Sequence, residues 1–82
     1  MGTLWIVLQR GLSGEHALVR VDGVPLLELE PDPTRRGSDV SRSFAVPSGE
    51  HAVVVELPAH GWRGTARFGL ADKTTIIVRA AD

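Results

Sequence analysis

Residues 16–30 read HALVRVDGVPLLELE, and this stretch decides the fold class. Its first half alternates, with Ala17, Val19 and Val21 on one face, which is the period of a β-strand and not of a helix. The dipeptide Asp22-Gly23 follows, and it is the pair most typical of a two-residue hairpin turn. The remaining residues return as a second alternating segment. The stretch therefore predicts a β-hairpin.

Short strands and turn signals continue on both sides of this hairpin. The predicted strands are Thr3–Arg10, His16–Val21, Val24–Glu30, Asp39–Val46, His51–Leu57, Trp62–Leu70 and Thr74–Ala80, with a loop over Pro31–Ser38. Pro25 cannot donate a ladder hydrogen bond, so its strand is expected at a sheet edge or to start after it. Short strands at regular intervals are typical of sandwiches and barrels. We therefore predict one domain over residues 1–82, a single seven-stranded antiparallel β-sandwich, prealbumin-like or immunoglobulin-like.

The inward positions of these strands give a predicted core. It consists of Ile6, Val19, Val21, Leu27, Phe44, Val53, Val55, Phe68, Ile76 and Val78. Trp62 is expected to pack over one end of this core.

Composition excludes several classes of function. Nine basic and ten acidic residues give a formal net charge of −1, which argues against a nucleic-acid binder. No apolar run approaches the roughly 18–20 residues of a membrane span, so no membrane insertion is expected. The chain has no cysteine, which excludes disulfides and thiolate metal sites. With no signal-peptide pattern either, a cytoplasmic location is favoured.

Residues 14–23, GEHALVRVDG, resemble the opening of a PEGA domain, which begins Pro-Glu-Gly-Ala and continues through an alternating strand to Asp-Gly. Val46–Val53 resembles that family's Pro-x-Gly-x-His-x-Val turn. The segment His60-Gly61-Trp62 stands where the family has Gly-Tyr, and Thr74–Arg79 resembles its closing strand. The resemblance implies a small prealbumin-like sandwich, usually a non-catalytic module appended to bacterial proteins.

The polar residues form no recognisable catalytic or metal-binding pattern. His16, His51 and His60 have no metal-ligand spacing. No serine lies in a nucleophile elbow between a strand and a helix. Glu28 and Glu30 share one strand face, which is typical of charges that protect an edge. We therefore expect no catalytic residue, no metal and no cofactor.

The first predicted strand is apolar on both faces, with Leu4, Ile6 and Leu8 on one and Trp5 and Val7 on the other. A sheet of a monomeric sandwich needs only one apolar face, so the second face predicts a partner.

Three further aliphatic residues also point away from the predicted core. The predicted interface is Trp5, Val7, Leu18, Val54 and Ile77. In the alternative interpretation, the Pro31–Ser38 loop covers Trp5 and Ile77 within one chain.

The leading hypothesis is a protein-interaction module that forms a homodimer or pairs with a partner chain. Residues 3–8 carry no charge, so the Thr3–Arg10 strand is expected at an unprotected sheet edge, or to dock by its face. The alternative is a carbohydrate or cell-wall binding module, since arginines beside an aromatic ring suit an anionic sugar. Its candidate residues are Trp62, Arg63, Arg67 and Arg42.

Overall fold

The computed structural model describes residues 1–79, and this part of the chain is all-β. Its elements are β1 (Gly2–Leu8), β2 (Ala17–Val21), β3 (Val24–Leu29), a 3-10 turn (Pro33–Arg35), β4 (Val40–Val46), β5 (Gly49–Leu57), a second 3-10 turn (Pro58–His60), β6 (Trp62–Leu70) and β7 (Lys73–Val78). The predicted strands are confirmed to within a few residues at each end. Ala80, the predicted last residue of the final strand, lies outside the described residues. Neither 3-10 turn, and no other helix in residues 1–79, is long and apolar enough to cross a membrane.

The strands form two sheets. One has three strands in the order β4-β1-β7, and the other has four in the order β3-β2-β5-β6. The expectation of a wholly antiparallel fold is wrong for one pair, because β1 and β7 run parallel, with Leu4 beside Thr74 and Leu8 beside Val78. A parallel pair needs a long crossover between its strands. Here the five intervening strands provide it.

The expectation that the first strand lies at a sheet edge is wrong. β1 is the central strand of its sheet, with β4 on one side and β7 on the other. The strand is apolar on its inner face because Leu4, Ile6 and Leu8 are fully buried. Both rows of its backbone groups are hydrogen-bonded to neighbours, so the absence of charge in residues 3–8 leaves no exposed strand edge.

Buried residues of both sheets form one hydrophobic core. Six of the ten predicted core residues are buried, and the other four are partly buried and packed against them: Ile6, Val19, Val21, Val53, Val55 and Val78, then Leu27, Phe44, Phe68 and Ile76. Trp62 is not part of this core, because 46% of its surface is exposed. It is the first residue of β6, which is an edge strand.

The hairpin between β2 and β3 has the predicted turn chemistry. Asp22 has a φ of 52° and Gly23 a φ of 81°. Two successive residues with positive φ match the type I′ turn, which Asp-Gly favours. As Pro25 predicted, β3 is an edge strand, and its register with β2 shifts between Val19 and Arg20.

The Pro31–Ser38 loop packs against the turn that follows β1. Ser13 is fully buried, and its hydroxyl donates a 2.6 Å hydrogen bond to the carbonyl of Arg35. The Arg35 Nε donates in return to the Ser13 carbonyl at 2.9 Å. These contacts hold the loop at one end of the molecule. It does not cover Ile77, which is 54% exposed.

The contact between turn and loop leaves no room for a side chain at Gly14. A Cβ there would lie 2.6 Å from Cγ of Arg36 and 2.8 Å from the carbonyl oxygen of Asp32. We expect Gly14→Ala to lower the free energy of unfolding by about 1–3 kcal/mol, because it forces these groups apart. Urea unfolding of both proteins measures the difference. Gly37→Ala is the matched control, since a Cβ at Gly37 would meet nothing within 4 Å. Equal effects of the two substitutions would contradict this prediction.

Candidate protein-binding surface

The outer face of the three-stranded sheet carries the side chains that alternate with those of the core. It contains three positions on each strand, in three rows: Thr3 with Ala45 and Lys73, Trp5 with Ser43 and Thr75, and Val7 with Ser41 and Ile77. Lys73 is the one charged residue among them. In a sheet with one face in water, each strand normally alternates apolar residues that face the core with polar or charged residues that face the solvent. This face is therefore unusually poor in charge.

The apolar residues of this outer face lie together. Trp5 and Val7 are half-buried, and Ile77 beside Val7 is largely exposed. Trp5, Val7, Lys73 and Thr75 line an open depression of about 140 Å³. Contiguous exposed apolar surface is typical of a protein-binding site, and tryptophan is enriched at the energetic centres of such sites. Three of the five predicted interface residues thus form one surface.

Leu18 and Val54 do not belong to that surface. They lie on the outer face of the four-stranded sheet, where Leu18 is beside Glu56 and Val54 beside Arg20. Arg20 and Glu56 form an ion pair across β2 and β5. Aliphatic stems of such long side chains cover neighbouring apolar groups, and both Leu18 and Val54 are half-buried. The sequence-predicted interface is therefore divided between the two outer faces of the molecule.

The structure does not bring the four candidate glycan-binding residues together. Arg63 and Arg67 share the outer face of β6, while Trp62 alternates to the other side of that strand. Arg42 lies on β4, in the other sheet, and donates to the carbonyl of its neighbour Ser41 at 2.9 Å.

Sequence reasoning missed a groove between β6 and β7. It has a volume of about 290 Å³, and Val53, Val55, Gly64, Ala66 and Ile76 contribute to its lining. The signal was present in β6, where the inward positions between Trp62 and Phe68 hold only Gly64 and Ala66. Large side chains at successive inward positions of an edge strand would fill the space between the sheets, whereas small ones leave a groove there.

Each of the three histidines contacts a different carboxylate. His16 Nε2 lies 3.3 Å from Glu28, and His60 Nε2 lies 3.5 Å from Glu15. Within residues 1–79, no group of three or more histidine, aspartate and glutamate side chains is placed to hold a metal ion.

His51 of β5 and Asp22 of the β2–β3 turn form a short polar contact. The His51 Nδ1 lies 2.6 Å from the Asp22 Oδ2, and its Nε2 lies 2.6 Å from the carbonyl of Pro47. The other oxygen of Asp22 accepts from the backbone N–H of Ala52 at 2.9 Å. The contact ties the β2–β3 hairpin to β5 and to the β4–β5 turn.

The contact shifts the pKa of both partners from their ordinary values. The hydrogen bond to Asp22, and then that to the Pro47 carbonyl, raise the pKa of His51 above its ordinary 6.5. The bonds from His51 and from the Ala52 N–H lower the pKa of Asp22 below its ordinary 3.8. The imidazolium can donate from both nitrogens at once, and the carboxylate can accept both bonds, so the charged forms are favoured.

Comparisons of this chain with protein-family models, with curated proteins and with solved structures found no match.

The His51–Asp22 contact predicts a pH-dependent stability with a defined sign. A raised histidine pKa contributes stability that is complete below 6.5 and is lost as the pH rises through the folded-state pKa. A lowered aspartate pKa contributes stability that is lost as the pH falls through its folded-state value, below 3.8. We therefore expect the free energy of unfolding to fall as the pH rises above 6.5, as measured by urea unfolding at a series of pH values.

The His51→Gln variant should show a weaker fall over the same range. His60→Gln is the control, since the side chain of His60 is about half-exposed and lies outside the His51–Asp22 contact, and the free energy of unfolding of this variant should fall with pH as in wild type. An unchanged slope in His51→Gln would contradict the assignment of this dependence to His51.

Proposed function

We propose that the chain is a non-enzymatic protein-interaction module, which self-associates through the outer face of its three-stranded sheet. The observation that carries this proposal is that Trp5, Val7 and Ile77 lie together on a face with a single charge. Leaving such a face in water keeps apolar surface hydrated, at about 25 cal/mol for each Å² that an interface would bury. A protein partner removes that cost.

We further propose that the module is a β-sandwich of the PEGA-like, prealbumin-like type. Two sheets that share one core support the sandwich. The type I′ turn at Asp22-Gly23 and the role of His51 in holding the β4–β5 turn support the resemblance, because these are residues that carry it. A module of this type acts by binding.

A second copy of this chain is the partner that fits the outer face best. Two-fold symmetric interfaces bring the same patch of both subunits together, so the patch must tolerate itself. Lys73 is at one corner of the face, beside Thr3, whereas Trp5 is in the central row. A two-fold axis near Trp5 places the two Lys73 side chains at opposite corners, so no like charges meet.

The polar groups of the molecule support binding over catalysis. His51 and Asp22, which shift each other's pKa, contact each other and backbone groups of two turns. Their hydrogen-bonding capacity is used in holding the fold. A catalytic acid or base needs instead to reach a substrate from a concave site.

Self-association can be measured directly by sedimentation equilibrium. We expect wild type to form a dimer in the micromolar range and Trp5→Arg to be monomeric, because the substitution places a charge at the centre of the apolar face. Val24→Arg is the matched control, since Val24 is an exposed aliphatic residue, 57% accessible, on the other sheet. It should dimerise like wild type. A monomeric wild type at high micromolar concentration, or equal dimerisation of Trp5→Arg, would overturn the proposal.

A further inference from the structure

The backbone of β7 is open on the side away from β1. β7 is the last strand of its sheet, and no described strand pairs with its far side. The carbonyls of Asp72 and Val78 point to β1, since they accept from the N–H groups of Thr3 and Gln9 at 2.8 and 3.0 Å. Backbone groups of successive strand residues point to alternate sides. The N–H and C=O groups of Thr75 and Ile77 are therefore directed to the open edge.

The apolar groove runs beside this open edge. Ile76 and Val78 of β7 line one side, and Gly64 and Ala66 of β6 line the other. The Trp62 ring closes over Gly64 so tightly that a Cβ there would lie 2.5 Å from the ring carbon Cη2. The ring thus occupies the space beside Gly64, and the small Ala66 leaves the space further along the two strands unfilled.

One sheet has three strands and the other has four, and the groove lies beside β7, the edge strand of the three-stranded sheet. A strand added beside β7 would make both sheets four-stranded. Its alternate side chains would point into the groove, because residues on one face of a sheet point in one direction. Its backbone would pair with the free groups of Thr75 and Ile77.

We propose that the β7 edge binds an extended segment of another protein by strand addition, and that this segment has alternating apolar residues flanked by acidic ones. Backbone hydrogen bonds to the edge would supply affinity, and apolar side chains in the groove would supply selectivity, as in other strand-addition complexes. This second site goes beyond the self-association of the outer face, and the two sites adjoin at Ile77.

The charges around the edge favour acidic flanks. Among residues 1–79, Arg79 is the one charged residue that lines the groove, and Lys73 stands at the start of β7. The uncharged residues 74–78 lie between them. Carboxylates at the ends of a bound segment would meet these two cations, and opposite charges across strands are stabilising.

The same charges argue against a second copy of β7 in this place. If the Thr75 of one copy pairs antiparallel with the Ile77 of the other, then Lys73 lies opposite Arg79 in both halves of the pair. Like charges directly opposite each other destabilise a strand pair. The charges of Lys73 and Arg79 therefore fit a segment with acidic ends better than a second β7 in this register.

A displayed library of random peptides, each about twice the length of β7, tests the proposal. We expect selection on the wild-type protein to enrich peptides with alternating apolar residues and flanking Asp or Glu. Synthetic copies are then titrated by calorimetry against Ala66→Phe, which fills the groove at an exposed position, and Ile77→Pro, which removes an N–H from the open edge. Each should weaken binding by at least about tenfold, which is 1.4 kcal/mol.

Ala59→Phe is the matched control, because Ala59 is exposed in the second 3-10 turn and does not line the groove. It should bind like wild type. Sedimentation of Ala66→Phe separates the two proposals, since filling the groove should leave dimerisation unchanged. The strand-addition proposal is overturned if no alternating peptide is enriched, or if enriched peptides bind Ala66→Phe and Ile77→Pro as tightly as wild type.

Discussion

The burial of β1 is the constraint on which the rest of the structure depends. Leu4, Ile6 and Leu8 are fully buried between the sheets, and each contributes about 1.5–3 kcal/mol by leaving water. The strand can be placed so deeply only because β4 and β7 satisfy its backbone on both sides. Because β1 needs a neighbour on each side, β7 lies beside it and pairs with it in parallel.

Local features were predictable from the sequence because they depend on short-range chemistry. Alternation with period two identified the strands, Asp22-Gly23 identified a turn with positive φ, and Pro25 placed its strand at an edge. The neighbours of β1 were not predictable in the same way. Alternation reveals which side chains share a face, but it carries no information on which strands lie to either side. A strand that is apolar on both faces therefore fits a central position as well as an edge.

Only part of the candidate surface was predictable, because alternation does not reveal which strands are neighbours. Trp5, Val7 and Ile77 meet because β1 and β7 pair in parallel register, with Val7 beside Ile77. Leu18 and Val54 show the same outward apolar pattern, yet they lie on the other sheet beside the Arg20–Glu56 ion pair. Sequence alternation cannot distinguish an aliphatic residue that stays exposed from one that is covered by the stems of long neighbours. That distinction arises from cross-strand register.

Three of the edge strands, β3, β4 and β7, differ in how well they are protected against further pairing. β3 carries Pro25 and Glu28, and the middle of β4 carries Arg42. Proline and charge within an edge strand discourage association. The uncharged middle of β7, residues 74–78, has neither, and it joins the outer face at Ile77 to the groove at Ile76. The unprotected edge, the charge-poor face and the unfilled groove thus form one side of the molecule, and both proposed binding sites lie on it.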